Sequence, residues 1–215
     1  MRDFGPSPHL RAWISEHLDP LEASILGGQK IRSDFDLTQP HGPREQIDLT
    51  PAAVLMGLVE RPEGLSVILT RRSDNLRSHT GQIALPGGKG DPGETPWQTA
   101  LREAHEEIGL HPDHVSLAGL CTPYQTPSGF HITPVVGFVD PVAELAANPD
   151  EVADIFETPL GFLMDPANHE HHERETPAGD RRRFYAMTWE DRFIWGATAG
   201  MLRALYDRLI GAAVA

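Results

Sequence analysis

Residues 88–110 read GKGDPGETPWQTALREAHEEIGL, and the fold turns on how this stretch is read. Thr95 is a good N-cap, Pro96 fits the first helical position, and Gln98 completes a capping box with Thr95. Trp97, Ala100, Leu101, Ala104 and Ile108 recur at helical spacing and predict an apolar stripe. Gly109 is a C-terminal stop. Glu103, Glu106 and Glu107 lie at i, i+3 and i+4, which puts the three on one face, opposite the stripe. Like charges this close repel, so the helix itself gains nothing from them. One reading is an ordinary amphipathic helix with a solvated acidic face. The other is a patch of hard oxygen ligands for Mg2+ or Mn2+.

The upstream spacing favours the second reading. Gly88 is followed by Glu94, and Arg102-Glu103 comes eight positions after Glu94. The stretch resembles the Nudix box, GX5EX7REUXEEXGU with U aliphatic. The matching positions are Gly88, Glu94, Arg102, Glu103, Ala104, Glu106, Glu107, Gly109 and Leu110. The resemblance implies a Nudix hydrolase, which splits a pyrophosphate linked to a nucleoside with the help of divalent metal. It also implies an α/β fold, an α/β/α sandwich around a mixed sheet. Gly88, Gly90 and Gly93 spell the dinucleotide-binding G-x-G-x-x-G as well. Pro92 interrupts that loop, and no second strand ends in an acid at the expected distance. The glutamate pattern accounts for far more residues.

The preceding segment, ILTRRSDNLRSHTGQIALPGG (68–88), resembles the signature of the coenzyme A pyrophosphatase branch. Leu69, Thr70, Arg72, Ser73, Leu76, Arg77, His79, Gly81, Pro86, Gly87 and Gly88 match. Ile68 and Leu85 depart, the latter replacing a phenylalanine. TPSGFHITPVVGFV (126–139) and FIWGATAGML (193–202) also look like that branch. Arg71, Arg72, Arg77 and His79 bring positive charge beside the acidic helix, and Lys89 lies in the loop between. Arginine suits bidentate phosphate contacts. Arg72, Arg77, His79 and Lys89 are therefore the substrate-binding candidates. Paired surface arginines and a backbone-bonded histidine are the structural alternatives.

The resemblance also implies roles on the helix. Glu103, Glu107 and Glu106 are metal ligands, with the carbonyl of Gly87 as a fourth. Arg102 orients the glutamates, together with Glu94. Glu103 or Glu151 is the general base. The expected reaction is hydrolysis of coenzyme A or its derivatives to 4′-phosphopantetheine and adenosine 3′,5′-bisphosphate. ADP-ribose, dinucleotides or oxidised nucleotides are the alternative substrates. A catalytically silent nucleotide sensor is the reading from outside the enzyme class, and the intact glutamates weigh against it.

Composition narrows the partners. The formal charge of −13 over 215 residues argues against nucleic acid and anionic membranes. The expected partner is a small molecule, with a homodimer left open. The lone Cys121 excludes an internal disulfide and fits a reducing compartment. Residues 1–10 lack the apolar core of a signal peptide. No apolar run approaches membrane-spanning length. A cytoplasmic location is the expectation.

Along the chain, residues 1–50 read as a helical extension and arm, and 51–215 as the Nudix domain with a C-terminal helix. Within the extension, 8–26 are a helical pair and 27–50 a loop. Strands are expected at 52–59, 65–70, 81–85, 115–121, 132–139, 151–158, 184–189 and 192–195. A final amphipathic helix covers 197–210. Residues 165–180 read as a polar excursion. Its His169, His171 and His172 have a metal-binding composition, but their adjacent spacing and polar surroundings fit an exposed loop.

Overall fold

A computed structural model gives the structure, and it describes residues 4–5, 7–26, 31–38, 49–74, 80–175, 179 and 181–211. Helices α1 (Pro8–Glu16) and α2 (Ala23–Leu26) precede β1 (Arg32–Ser33) and α3 (Phe35–Thr38). Strands β2 (Thr50–Arg61) and β3 (Gly64–Arg72) form a hairpin, and the short β4 (Ile83–Ala84) and β5 (Gly87–Lys89) lead into α4 (Pro96–Ile108). Next come β6 (Val115–Leu120), β7 (Tyr124–Gln125), β8 (Phe130–Val139) and β9 (Val152–Pro159). The chain then runs through α5 (Leu160–Leu163), β10 (Glu170–Glu175), β11 (Arg181–Trp189), β12 (Arg192–Trp195) and α6 (Ala197–Leu209).

Strand β2 is central. It runs parallel to β8 and antiparallel to β3 and β5, while β9 adds antiparallel to β3. The sheet is mixed, as expected. The unbroken apolar run AAVLMGLV (52–59) suits a strand covered on both faces. Its residues alternate between two cores, as strand geometry requires. Val54, Met56 and Leu58 join Ile14 of α1 and Leu202 and Leu205 of α6. Ala53, Leu55 and Val59 join Ala100, Ala104 and Ile108 of α4. Helices therefore cover both faces of the sheet, and the architecture is the α/β/α sandwich.

Two segments depart from the sequence reading. Within 27–50, β1 pairs in parallel with β7, and α3 follows it. The polar tract EHHERE (170–175) is strand β10, paired antiparallel with β11 in a separate three-stranded sheet. It lacks the apolar alternation that marks a half-buried strand, because it lies at a sheet edge, where charged side chains are well tolerated. Glu173 and Glu175 face Arg183 and Arg181 across the pair, with Arg183 Nε donating to Glu173 Oε1 at 2.7 Å.

Candidate active site

Local chemistry fixes α4 at both ends. The Thr95 hydroxyl accepts from the Gln98 amide, and the Gln98 side chain accepts from the Thr95 amide at 2.9 Å. At the other end Gly109 is left-handed, with φ 67°, and its N–H bonds to His105 O. The loop after β8 takes up the last carbonyls of the helix. Ala146 N–H donates to Ile108 O and Asn148 N–H to Glu107 O, both at 2.9 Å. The same loop delivers Glu151, whose carbonyl accepts from Ser73 N–H at 2.8 Å. Glu151 thus stands at the junction of β3, β9 and α4.

The three helix glutamates occupy different environments. Glu107 is 3% exposed and lies on the buried side of α4 with Ala100, Ala104 and Ile108. This corrects the expectation that all three glutamates lie opposite the apolar stripe. The side chains of Glu103 and Glu106 are 15% and 53% exposed. The apolar periodicity itself contained the signal: positions 100, 104, 107 and 108 are i, i+4, i+7 and i+8 of one face.

Arg102 organises the outer part of the site. Its Nε donates to Glu94 Oε1 at 2.8 Å and its Nη2 to Glu94 Oε2 at 3.1 Å. Nη2 also donates to the Lys89 carbonyl at 3.0 Å, whereas the Lys89 residue is exposed. Nη1 bonds Glu103 Oε1 at 2.9 Å and Glu106 Oε2 at 3.1 Å. The Arg102 guanidinium holds the Glu94 carboxyl down at about 2, with help from the Asp91 amide and the Thr99 hydroxyl. Nothing in the sequence pointed to Thr99.

The inner part is short of positive charge. Burial pushes the Glu107 carboxyl up to about 7, and the neighbouring Glu103 and Glu151 add to this. A hydrogen bond from Gly87 N–H to Glu107 Oε2 at 3.1 Å and the Arg72 guanidinium oppose the rise without cancelling it. Burial likewise raises Glu103, aided by Glu106 and Glu151 and opposed by Arg102. Arg72 Nη1 lies 3.8 Å from Glu107 Oε1, and its buried Nε has no partner among the described residues.

The structure therefore brings Arg72, Gly87, Arg102, Glu103, Glu106, Glu107 and Glu151 together. Arg77 and His79 lie outside the described residues. Arg71 points to the opposite face of the sheet, and its ion pair is with Asp74 at 3.7 Å. Among the described residues no three His, Cys, Asp or Glu side chains form a ready-made metal cage. The fit to a divalent cation rests instead on hard oxygen donors and on the unbalanced charge around buried Glu107. The histidines of 169–172 are occupied separately. His169 Nε2 bonds Leu163 O at 2.7 Å, the His171 ring packs at a tilt against Tyr185, and His172 bonds Glu170. Cys121 is fully buried, which pushes its thiol up to about 12 and leaves it inert at neutral pH.

A model of the NUDIX domain matches residues 49–179. The chain belongs to the Nudix family of hydrolases, which split pyrophosphate bonds of small molecules and generally use divalent metal. Its relatives include a protein named uncharacterized Nudix hydrolase NudL from Escherichia fergusonii. That protein is 38% identical over 186 residues, which is 86% of this chain and 96% of its own length. A protein of the same name from Yersinia enterocolitica is 40% identical over 178 residues, 82% of this chain and 90% of its own length. Among solved structures, DR0079 from Deinococcus radiodurans aligns over 77% of this chain and 88% of its own, at 17% identity and a TM-score of 0.49. Among the described residues, no helix is long and apolar enough to cross a membrane.

Proposed function

We propose that this Nudix hydrolase cleaves the pyrophosphate of coenzyme A or its derivatives, releasing 4′-phosphopantetheine and adenosine 3′,5′-bisphosphate. The observation that carries the reading is Arg72. This residue of the 68–88 motif ends β3 beside Glu107, and its Nε has no hydrogen-bond partner among the described residues. A guanidinium with a donor unpartnered among the described residues, next to an acidic patch of hard oxygen donors, is suited to a phosphate.

Glu103, Glu106 and Glu107 would hold Mg2+ or Mn2+, with the Gly87 carbonyl as a further donor. Bound there, the metal supplies Lewis-acid polarisation of the pyrophosphate and a more acidic water. The remaining work falls to the chain. Arg102, clamped by Glu94, fixes the outer carboxylates. Arg72 binds and orients a phosphate oxygen. Glu103 or Glu151 takes the proton of the attacking water. Lys89 adds positive charge to the approach of the anion, and Arg77 and His79 of the 68–88 motif are proposed as further contacts to it.

The test is incubation with Mg2+ and a panel of coenzyme A, dephospho-coenzyme A, ADP-ribose and dinucleotides, with products identified by mass spectrometry. Coenzyme A should be preferred over dephospho-coenzyme A by one to two orders of magnitude, the scale of an unpaired charged contact, about 1.5–3 kcal/mol. Equal kcat/KM for these two, with faster turnover of ADP-ribose, would remove the coenzyme A assignment and leave Nudix chemistry in place.

A further inference from the structure

A cavity lies on the face of β3 opposite the carboxylates. Leu65, Val67 and Leu69 point into the core shared with α1 and α6, and Ile68 into the core shared with α4. Arg72 follows Ile68 and reaches Glu107, whereas Arg71 follows Leu69. Asp154 is the register partner of Arg71 and lies on the same side, as does Phe156. The cavity measures about 510 Å3 and is lined by Arg71, Ile83, Asp154, Arg192, Phe193 and Trp195, among others. That volume suits a small organic ligand.

Its walls differ in character. One is aromatic. Phe193 is 40% exposed, and it and Val142 are the large hydrophobic side chains left exposed among the described residues. Neighbours on the same face of the small sheet support the aromatic wall. The His172 ring meets Phe193 edge-on at 5.5 Å, and Phe184 packs on Trp195 at 5.3 Å. The other wall is polar. Arg192 Nη2 lies 3.4 Å from Asp154 Oδ2, and the Arg192 guanidinium covers the Phe156 ring at 4.3 Å. Arg71 and Arg192 are matched by Asp154 and Asp191, so the cavity is locally neutral in a chain of formal charge −13. A free polyanion gains little there. A planar ring with apolar faces and hydrogen-bonding edges fits, and a purine base is such a ring.

Position links the cavity to the carboxylates. Arg71 and Arg72 are consecutive, and Asp154 follows Glu151 by three residues at the start of β9. The two sites therefore flank the same strand ends on opposite faces of the sheet. We propose that this cavity receives the adenine ring of the substrate, while the pyrophosphate lies at Arg72 and the glutamates. The inference rests on the coenzyme A reading for the identity of the base.

The experiment is calorimetric titration of the whole protein with each product of the proposed reaction, alongside steady-state kinetics. Phe193→Ala removes an exposed side chain, so the fold should survive, and unchanged thermal melting checks this. The variant should bind adenosine 3′,5′-bisphosphate on the order of tenfold more weakly, the scale of a lost base–aromatic stack. Binding of 4′-phosphopantetheine should be unaffected. KM for coenzyme A should rise by the same factor with kcat within about twofold, and Phe193→Trp should restore both. Unchanged affinity for the bisphosphate in an enzyme that hydrolyses coenzyme A would overturn the cavity assignment alone. A protein inert toward coenzyme A that still loses affinity for the bisphosphate in Phe193→Ala would sink the proposed substrate and leave the adenine site standing.

Discussion

Gly88→Ala is expected to disable the enzyme without unfolding it. A Cβ at Gly88 would lie 2.5 Å from Glu103 Oε2 and 2.6 Å from its carboxyl carbon. Ordinary contact starts near 3.4 Å, so the carboxylate must retreat by roughly 0.9 Å. The obstructing atoms end a flexible side chain, and the movement costs the fold little. Adding a methyl group to a glycine outside the left-handed region also restricts the unfolded chain, which offsets part of that cost. Catalysis has no such tolerance. A displacement of about 1 Å at a reacting centre can cost on the order of a hundredfold in rate.

The neighbouring glycine provides the control. A Cβ at Gly87 would lie 2.6 Å from Val54 Cα, in the backbone of the central strand, which cannot swing aside. Gly87→Ala should therefore lower stability by about 1–3 kcal/mol or more, the range of overpacked cores. The assay pairs thermal melting with kcat at saturating Mg2+. Near-parent melting with a kcat loss on the order of a hundredfold is expected for Gly88→Ala. A Gly88→Ala enzyme with parental kcat would refute the idea that the position of Glu103 governs the reaction.

Three further outcomes follow from the site. Glu107→Gln should lower kcat by at least about a hundredfold through loss of a charged ligand. It should not lower the melting point of the metal-free protein, because the parent carboxyl is already pushed up to about 7 by burial. Parental turnover would remove Glu107 from the ligand set. Arg72→Ala should raise KM for coenzyme A more than it lowers kcat, by about 1.5–3 kcal/mol in kcat/KM, since a phosphate contact holds substrate and transition state alike. An unchanged kcat/KM would make Arg72 a structural partner of Glu107 only. Glu94→Gln tests the Arg102 clamp through pH. A carboxyl held down at about 2, against an ordinary value of 4.5, stabilises the fold above pH 4.5 and loses that effect as pH falls toward 2. Denaturant titration should give a deficit for the variant of about 2 kcal/mol at pH 7, allowing for partial solvent screening, that shrinks between pH 5 and pH 3. A deficit that grows on acidification would contradict the clamp.

What the sequence revealed follows the range of the interactions. Helix α4 and its capping box are local, involving residues within four positions, and Thr95, Pro96, Gln98 and Gly109 perform as their chemistry dictates. The two-faced burial of β2 was legible in its unbroken apolar run. Strand β10 was hidden because it pairs with β11 at a sheet edge and its side chains follow no apolar period. The placement of Glu151 was also out of reach of pattern reading. It depends on Ala146 and Asn148 bonding the end of α4 and on Ser73 bonding the Glu151 carbonyl.

Glu107 is the instructive case. Its sign of charge drew it into the acidic face, while its position, i+7 from Ala100, put it on the apolar one. The structure follows the geometry and buries the carboxylate. A buried acid beside two other acids is costly unless it is protonated or paired. Arg72 and the Gly87 amide are a partial answer, since the carboxyl still rises to about 7. Arg102 cannot complete it, because its three nitrogens are spent on Glu94, Lys89 O, Glu103 and Glu106. We propose that this helix, which carries an uncompensated acid next to strand residues that cannot neutralise it, is arranged for a cation from outside the chain. The violation of the amphipathic rule at position 107 is thus the local feature that most directly connects this fold to its chemistry.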